Sequence, residues 1–242
     1  MQTTRAQDAM TRAELESFLA AVSDRGPSGK RNLALLTLMA DTGIRLQEAL
    51  NLRTQDLRRE YGGNVVTDVA FIGKGGKAAT RTVSTRAAAR LSTWLDARAA
   101  LGVGTGLVFC TVSTGTATGL AADGTELVPG EPLNPRYVRD LVHRTAEKAG
   151  IERRVTPHTL RHTFATHLLQ GGATTEQTAK ALGHSRTSTT SEVYAHLLPD
   201  DVRDLVMGLH AEPTPDTDAR DLASKIALMS PEQRAALRAL LG

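Results

Sequence analysis

"TPHTLRHTFATHLL" runs from Thr156 to Leu169, and the reading of the whole chain turns on it. On helical geometry His158 and Arg161 stand at i, i+3, neighbours on one surface, while Leu160, Phe164 and Leu168 form an apolar row about 100° from Arg161. Such a helix buries one face and offers another to a ligand. Taken alone, the segment also reads as a capped core helix with incidental surface histidines. His158 and His162 have the i, i+4 spacing of a metal pair, yet no Glu or Cys nearby completes a ligand set.

Working outward, the chain is mostly helical. Thr11 and Glu14 have capping-box spacing ahead of Leu15, Phe18, Leu19 and Val22, which predicts an amphipathic helix. "NLALLTLMADTG" is apolar nearly all round and belongs at the centre of a core, with Gly43 as its C-terminal stop. A short helical pattern covers Leu46 to Leu52. The period then changes: "NVVTDVAFIG" and "ATRTV" are β-branched runs flanking "GKGGK", which predicts an antiparallel hairpin spanning Lys74. Residues 86–99 form a further amphipathic helix, "GLVFCTV" is a short strand candidate, and 113–131 is a Gly/Ser/Thr-rich loop. Asn134 and Pro135 start a helix closed by Gly150, and Gly171 and Gly172 end the one quoted above. Helices are also expected over Thr174 to Leu182, from near Ser188, over "PDDVRDLVMGL" and, after a polar linker, over "SPEQRAALRALL".

With 242 residues and 40% hydrophobic content, the chain can bury one sizeable core. The single cysteine, Cys110, excludes an intrachain disulfide and fits a reducing compartment, so cytoplasm is the expected location. "LALLTLMA" falls far short of the roughly 20 apolar residues a membrane helix needs. Charge is unevenly spread: residues 1–199 hold 24 Lys/Arg against 18 Asp/Glu, a net of +6, and residues 200–242 hold 5 against 8, a net of −3. A basic body is compatible with a polyanionic partner.

Four separated segments now belong together. "DTGIRLQEALNL" carries Arg45 and Glu48, the hairpin carries Lys74, "HTLRH" carries His158 and Arg161, and "LGHSRTSTTSEVYAH" carries His184 and Tyr194. This order, in these local contexts, resembles the tyrosine recombinase (phage integrase, Xer-like) family over roughly residues 11–199. The resemblance implies an α+β, mostly α, catalytic domain with a small antiparallel β-sheet or hairpin. It divides the chain into a catalytic domain over 1–210, with its core at 11–199, and a linker plus C-terminal helical extension over 211–242.

The chemistry implied is attack of a tyrosine hydroxyl on a DNA phosphodiester, giving a 3'-phosphotyrosyl link and a free 5'-hydroxyl. Arg45 and Arg161 suit the phosphate, because a guanidinium stays protonated and binds two oxygens at once. Carried over from the family's boxes, Tyr194 is the nucleophile, His158 the candidate base, Lys74 the acid for the leaving oxygen, and His184 a hydrogen-bond donor to the phosphate. Glu48 supports the assembly or forms an intrahelical ion pair. Lys77 contacts backbone phosphate or is a solvated turn residue. His162, His167 and His196, inside the matching boxes, are expected to serve packing and supporting hydrogen bonds and not catalysis. No metal or cofactor is required. The implied partners are double-stranded DNA and further copies of the chain, as a dimer or tetramer joined through the C-terminal segment. A type IB topoisomerase-like enzyme shares the catalytic set, and "LGHS" between two short helices also fits a non-catalytic helix-turn-helix binder.

Overall fold

A computed structural model describes residues 9–59, 65–72, 76, 78–103, 106–112 and 128–182, all within one compact unit. Seven helices and three strands follow in the order α1 (Arg12–Ala20), α2 (Gly26–Thr42), α3 (Leu46–Asn51), β1 (Leu57–Arg59), β2 (Val66–Ile72), β3 (Ala78–Thr82), α4 (Thr85–Ala100), α5 (Pro135–Lys148), α6 (Pro157–Gln170) and α7 (Thr175–Leu182). The mostly α, α+β architecture expected from the sequence is what forms.

Local chemistry explains the helix ends. The Thr11 hydroxyl accepts from the Glu14 amide at 3.1 Å, and the Glu14 carboxylate accepts from the Thr11 amide at 2.7 Å, closing a reciprocal cap worth about 1 kcal/mol. Asn134 caps α5 through the Arg136 amide at 2.8 Å, and Thr174 and Gln177 cap α7 in the same reciprocal manner as α1. Thr156 caps α6 through the Thr159 amide, with Pro157 in the first turn, where a missing N–H costs nothing.

α2 is the axis of the core: every residue from Arg31 to Thr42 is buried, and the helix packs chiefly against α4 and also against α6. Its buried arginine is satisfied. Arg31 donates to the Cys110 carbonyl at 3.0 Å and to Asn32 and Tyr137, and its guanidinium stacks 5.3 Å from the Tyr137 ring centre. Trp94 of α4 is fully buried, and its indole N–H donates to the Val108 carbonyl at 2.8 Å. A second, smaller apolar cluster lies between α6 and α7, built from Phe164, Leu168, Ala173, Ala181 and Leu182. The predicted apolar row of α6 is therefore buried, with Leu160, Phe164 and Leu168 no more than 2% exposed.

The hairpin forms as an antiparallel pair, Ile72 opposite Ala78 through Asp68 opposite Thr82. It gains a third strand, β1, which pairs with β2 on its other edge and slips register between Arg58 and Arg59. The strand expected at "GLVFCTV" does not form. Leu107 makes a single bridge to Arg53 and Cys110 a single bridge to Pro132, so no two successive residues share one partner strand. Pro132 has no N–H to extend a ladder, while burial of Val108, Phe109 and Cys110 accounts for the apolar run that suggested a strand. The helices expected after Leu182, the domain boundary at 210 and most of the loop at 113–131 lie outside the described residues.

Candidate active site

The turn between α2 and α3 sets the first component. Gly43 ends α2 in the left-handed region at φ 59°, its amide donating to Met39 at 3.1 Å. A Cβ there would stand 2.6 Å from Phe164 Cδ1 and 2.8 Å from Leu182 Cδ2, so both the conformation and the close approach require glycine. Two residues later Arg45 opens α3. Glu48 accepts from the Arg45 amide at 2.9 Å and from Arg45 Nη1 at 2.9 Å, so one carboxylate caps the helix and holds the guanidinium. Glu48 is 8% exposed while the Arg45 side chain is 41% exposed. Of the two alternatives open for Glu48, the ion pair with Arg45 is the contact that forms.

α6 supplies the second component. His158 is exposed in its first turn, and Arg161 is buried one turn on. Arg161 Nη1 donates to the Gly43 carbonyl and Nη2 to the Leu182 carbonyl at 2.9 Å. Burial lowers the Arg161 pKa to about 10, Arg45 pushes in the same direction, and Glu48 opposes them. At neutral pH the group remains a cation, held in a place that disfavours its charge. A low-dielectric cation of this kind gains most from an anion brought to it.

Arg45, His158 and Arg161 line one cleft of about 530 Å³, together with Arg139, Asp140 and His143 of α5, Arg154 to Thr156 ahead of α6 and Pro157 at its start. Four arginines face a single carboxylate among these lining residues, which makes the cleft cationic. His158 and Arg161 meet it because the i, i+3 spacing puts both on one side of α6, flanking its apolar row.

Lys74, Lys77, His184 and Tyr194 lie outside the described residues. Lys74 and Lys77 belong to the chain joining β2 to β3, and His184 follows the last residue of α7 by two positions. His167 is 3% exposed, its Nε2 donating to the Met10 carbonyl at 2.9 Å, while the Met10 amide donates to Thr163. Among the described residues no group of three or more His, Cys, Asp or Glu is close enough to hold a metal ion, and no helix is long and apolar enough to cross a membrane.

Arg139, Arg154 and Arg81 were not singled out by motif. Arg139 and Arg154 reach the cleft only through the packing of α5 against α6, which no local pattern reveals. Arg81 had a signal. In the alternation Ala79, Arg81, Val83 it falls in phase with two apolar residues, so a charged side chain points inward, and it is 5% exposed.

Residues 8–200 match the model of the phage integrase family. The chain belongs to that family. It is 31% identical over 198 residues to the tyrosine recombinase XerC of Halalkalibacterium halodurans, covering 81% of this chain and 60% of the relative. It is 32% identical over 185 residues to XerD of Corynebacterium glutamicum, covering 76% and 54%. The chain thus spans only about half to three fifths of the curated relatives' length. Among solved structures, the XerH site-specific recombinase in its post-cleavage complex with a palindromic difH substrate superposes with a TM-score of 0.58 at 26% identity, over 81% of this chain and 51% of that one. The XerA recombinase gives 0.57 at 22% identity, over 84% and 66%, a likeness of fold.

Proposed function

We propose that this chain carries the catalytic domain of a site-specific DNA recombinase that cuts and rejoins double-stranded DNA through a covalent 3'-phosphotyrosyl intermediate. The observation that carries the reading is the cleft in which Arg45 and Arg161, 116 positions apart in sequence, meet with His158 between cationic walls. Kinship with XerC and XerD, and the superposition on XerH bound to its DNA substrate, support it.

The Tyr194 oxygen attacks phosphorus, and the bond from phosphorus to the 5'-oxygen breaks. The phenolic proton passes to His158, and the departing 5'-oxygen takes a proton from Lys74. Arg45 and Arg161 bind the non-bridging oxygens as charge builds on them, with His184 donating a further hydrogen bond. Arg139 and Arg154, with Lys77 on the hairpin, hold the flanking backbone. Rejoining is the reverse sequence with the 5'-hydroxyl of another strand, and the phosphotyrosyl bond retains the energy of the one it replaced. The chain works where its DNA lies, in the cytoplasm, as a dimer or tetramer on DNA joined through its C-terminal segment.

The test uses nicked suicide duplexes tiled across the DNA flanking the gene. The nick lets the short cleaved fragment diffuse away and traps the adduct. The wild-type chain is expected to give a covalent protein–DNA band that survives denaturation, and Tyr194→Phe to bind the same duplex and give none. A non-catalytic helix-turn-helix binder gives no band in either case, and a band retained by Tyr194→Phe removes that residue as nucleophile. Relaxation of a supercoiled plasmid without exchange between two sites would point to the type IB topoisomerase-like reading.

A further inference from the structure

Arg81 is the buried guanidinium nearest in effect to the cleft that the chemistry above does not use. It sits on β3, two residues from Ala79, whose partner across the sheet is Phe71. Its guanidinium lies 5.0 Å from the Phe71 ring centre, Nη1 donates to the Thr80 carbonyl at 3.1 Å, and Nη2 donates to the Leu182 carbonyl at 2.6 Å. Leu182 is also the acceptor for Arg161 Nη2. One carbonyl oxygen, with two lone pairs, therefore joins a β3 cation to the cleft cation at the end of α7.

This is an expensive arrangement. Burial above all, with Arg161 and Arg45 acting in the same direction and Glu48 against them, lowers the Arg81 pKa to about 10. Its Nε is buried without a hydrogen-bond partner among the described residues. Arg86 and Arg153, which serve packing elsewhere, are each paired with a carboxylate, and the buried Arg31 is bonded through all three guanidinium nitrogens. Arg81 instead spends its strongest hydrogen bond on an atom that Arg161 also needs.

We propose that Arg81 is a positioning residue for strand cleavage: it fixes the Leu182 carbonyl that Arg161 Nη2 also binds, and so sets where the Arg161 guanidinium stands at the edge of the cleft. The inference rests on the recombinase reading. With Arg81 gone, the Leu182 carbonyl is left to Arg161 alone and the end of α7 loses its tie to the sheet. Misplacement of a phosphate-binding group by about 1 Å costs on the order of 100-fold in rate.

The experiment is single-turnover cleavage of the suicide duplex by Arg81→Gln and Arg81→Lys, each alone and combined with Arg161→Lys, with DNA affinity and thermal midpoint measured on every variant. Arg81→Gln is expected to slow cleavage about 10- to 100-fold with DNA affinity within about 3-fold of wild type, and Arg81→Lys to recover part of the rate. In the Arg161→Lys background the same substitution should slow cleavage by less than about 3-fold, since residues acting through one another are non-additive. Wild-type rates in both single variants overturn the proposal. So does a full, additive loss on top of Arg161→Lys, or a loss that tracks the thermal midpoint and disappears on cooling. A wild-type chain that forms no adduct strikes at the recombinase reading itself, whereas an active wild type with unaffected variants strikes at Arg81 alone.

Discussion

Two arginine sites in this fold are built on opposite electrostatic plans. At the α1–α2–α4 junction, Arg86 is bonded to Asp41 through Nε at 3.1 Å and Nη2 at 2.6 Å and to Glu16 through Nη1, while the Ser84 hydroxyl donates to Asp41 at 2.5 Å. Burial works against the Arg86 charge, but Asp41 and Glu16 outweigh it, and its pKa stands above the ordinary value. At the α2–α3–α6 junction, Arg45, Arg81 and Arg161 surround Glu48, and two of them are bonded only to carbonyls in the contacts described above. Their pKa values move down. Arg86 is matched by two carboxylates, whereas Arg45, Arg81 and Arg161 share the influence of one, Glu48. The sign of the shift alone does not separate the two uses, because burial also lowers the pKa of Arg31, a packing residue bonded to Asn32, Tyr137 and the Cys110 carbonyl.

The contrast can be broken first at Arg161. Arg161→Ala removes a donor to the transition state and is expected to slow adduct formation by about 3 to 4 kcal/mol, with a much smaller loss of folding stability. Equal cleavage rates for mutant and wild type in a quench-flow or gel assay would abolish the distinction. Next comes Arg86→Ala, which strands the fully buried Asp41 and should cost about 3 kcal/mol in urea unfolding, the low end for a broken buried pair because Arg86 is itself partly exposed. Cleavage per folded molecule should stay near wild type at low temperature, and a large loss there would give Arg86 a part in the site.

The smallest effect sharpens the comparison at a third pair. The hydrogen bond from Arg153 is the main influence holding the Glu14 carboxyl at about 2, below its ordinary 4.5. A depressed carboxylate stabilises the fold above its unfolded pKa and loses that contribution as pH falls through the folded one. The stability gap between wild type and Glu14→Gln should therefore be full at pH 7, shrink from about pH 4.5 and close near pH 2. Thermal scans at several pH values check this, and a gap independent of pH would show that the pair is not its source.

How much of this was legible in the sequence depends on whether the determining contacts are local. The cap at Thr11, the stop at Gly43, the hairpin phase and the two faces of α6 all rest on residues within a few positions of one another, and each formed as expected. Arg45 and Glu48 sit three apart, so their contact was within reach, although the double role of the carboxylate was not. β1 escaped because three residues carry no measurable period. "GLVFCTV" misled because its apolar run reflects burial against α2 and α4 and not strand pairing. Arg139 and Arg154 became part of the cleft only when α5 and α6 packed together. The roles of Lys74, His184 and Tyr194 rest on the family's boxes.

One consequence follows from α2 having no side turned to water. Thirteen of its seventeen residues are buried, so the segment has almost no position at which a change of size or polarity goes unfelt. In a saturation library selected for folding it would read as a continuous intolerant block, while the outward phase of β3 accepted most replacements. A library of this kind would thus map the buried axis that leads into Arg45 as a run of positions, not as scattered points.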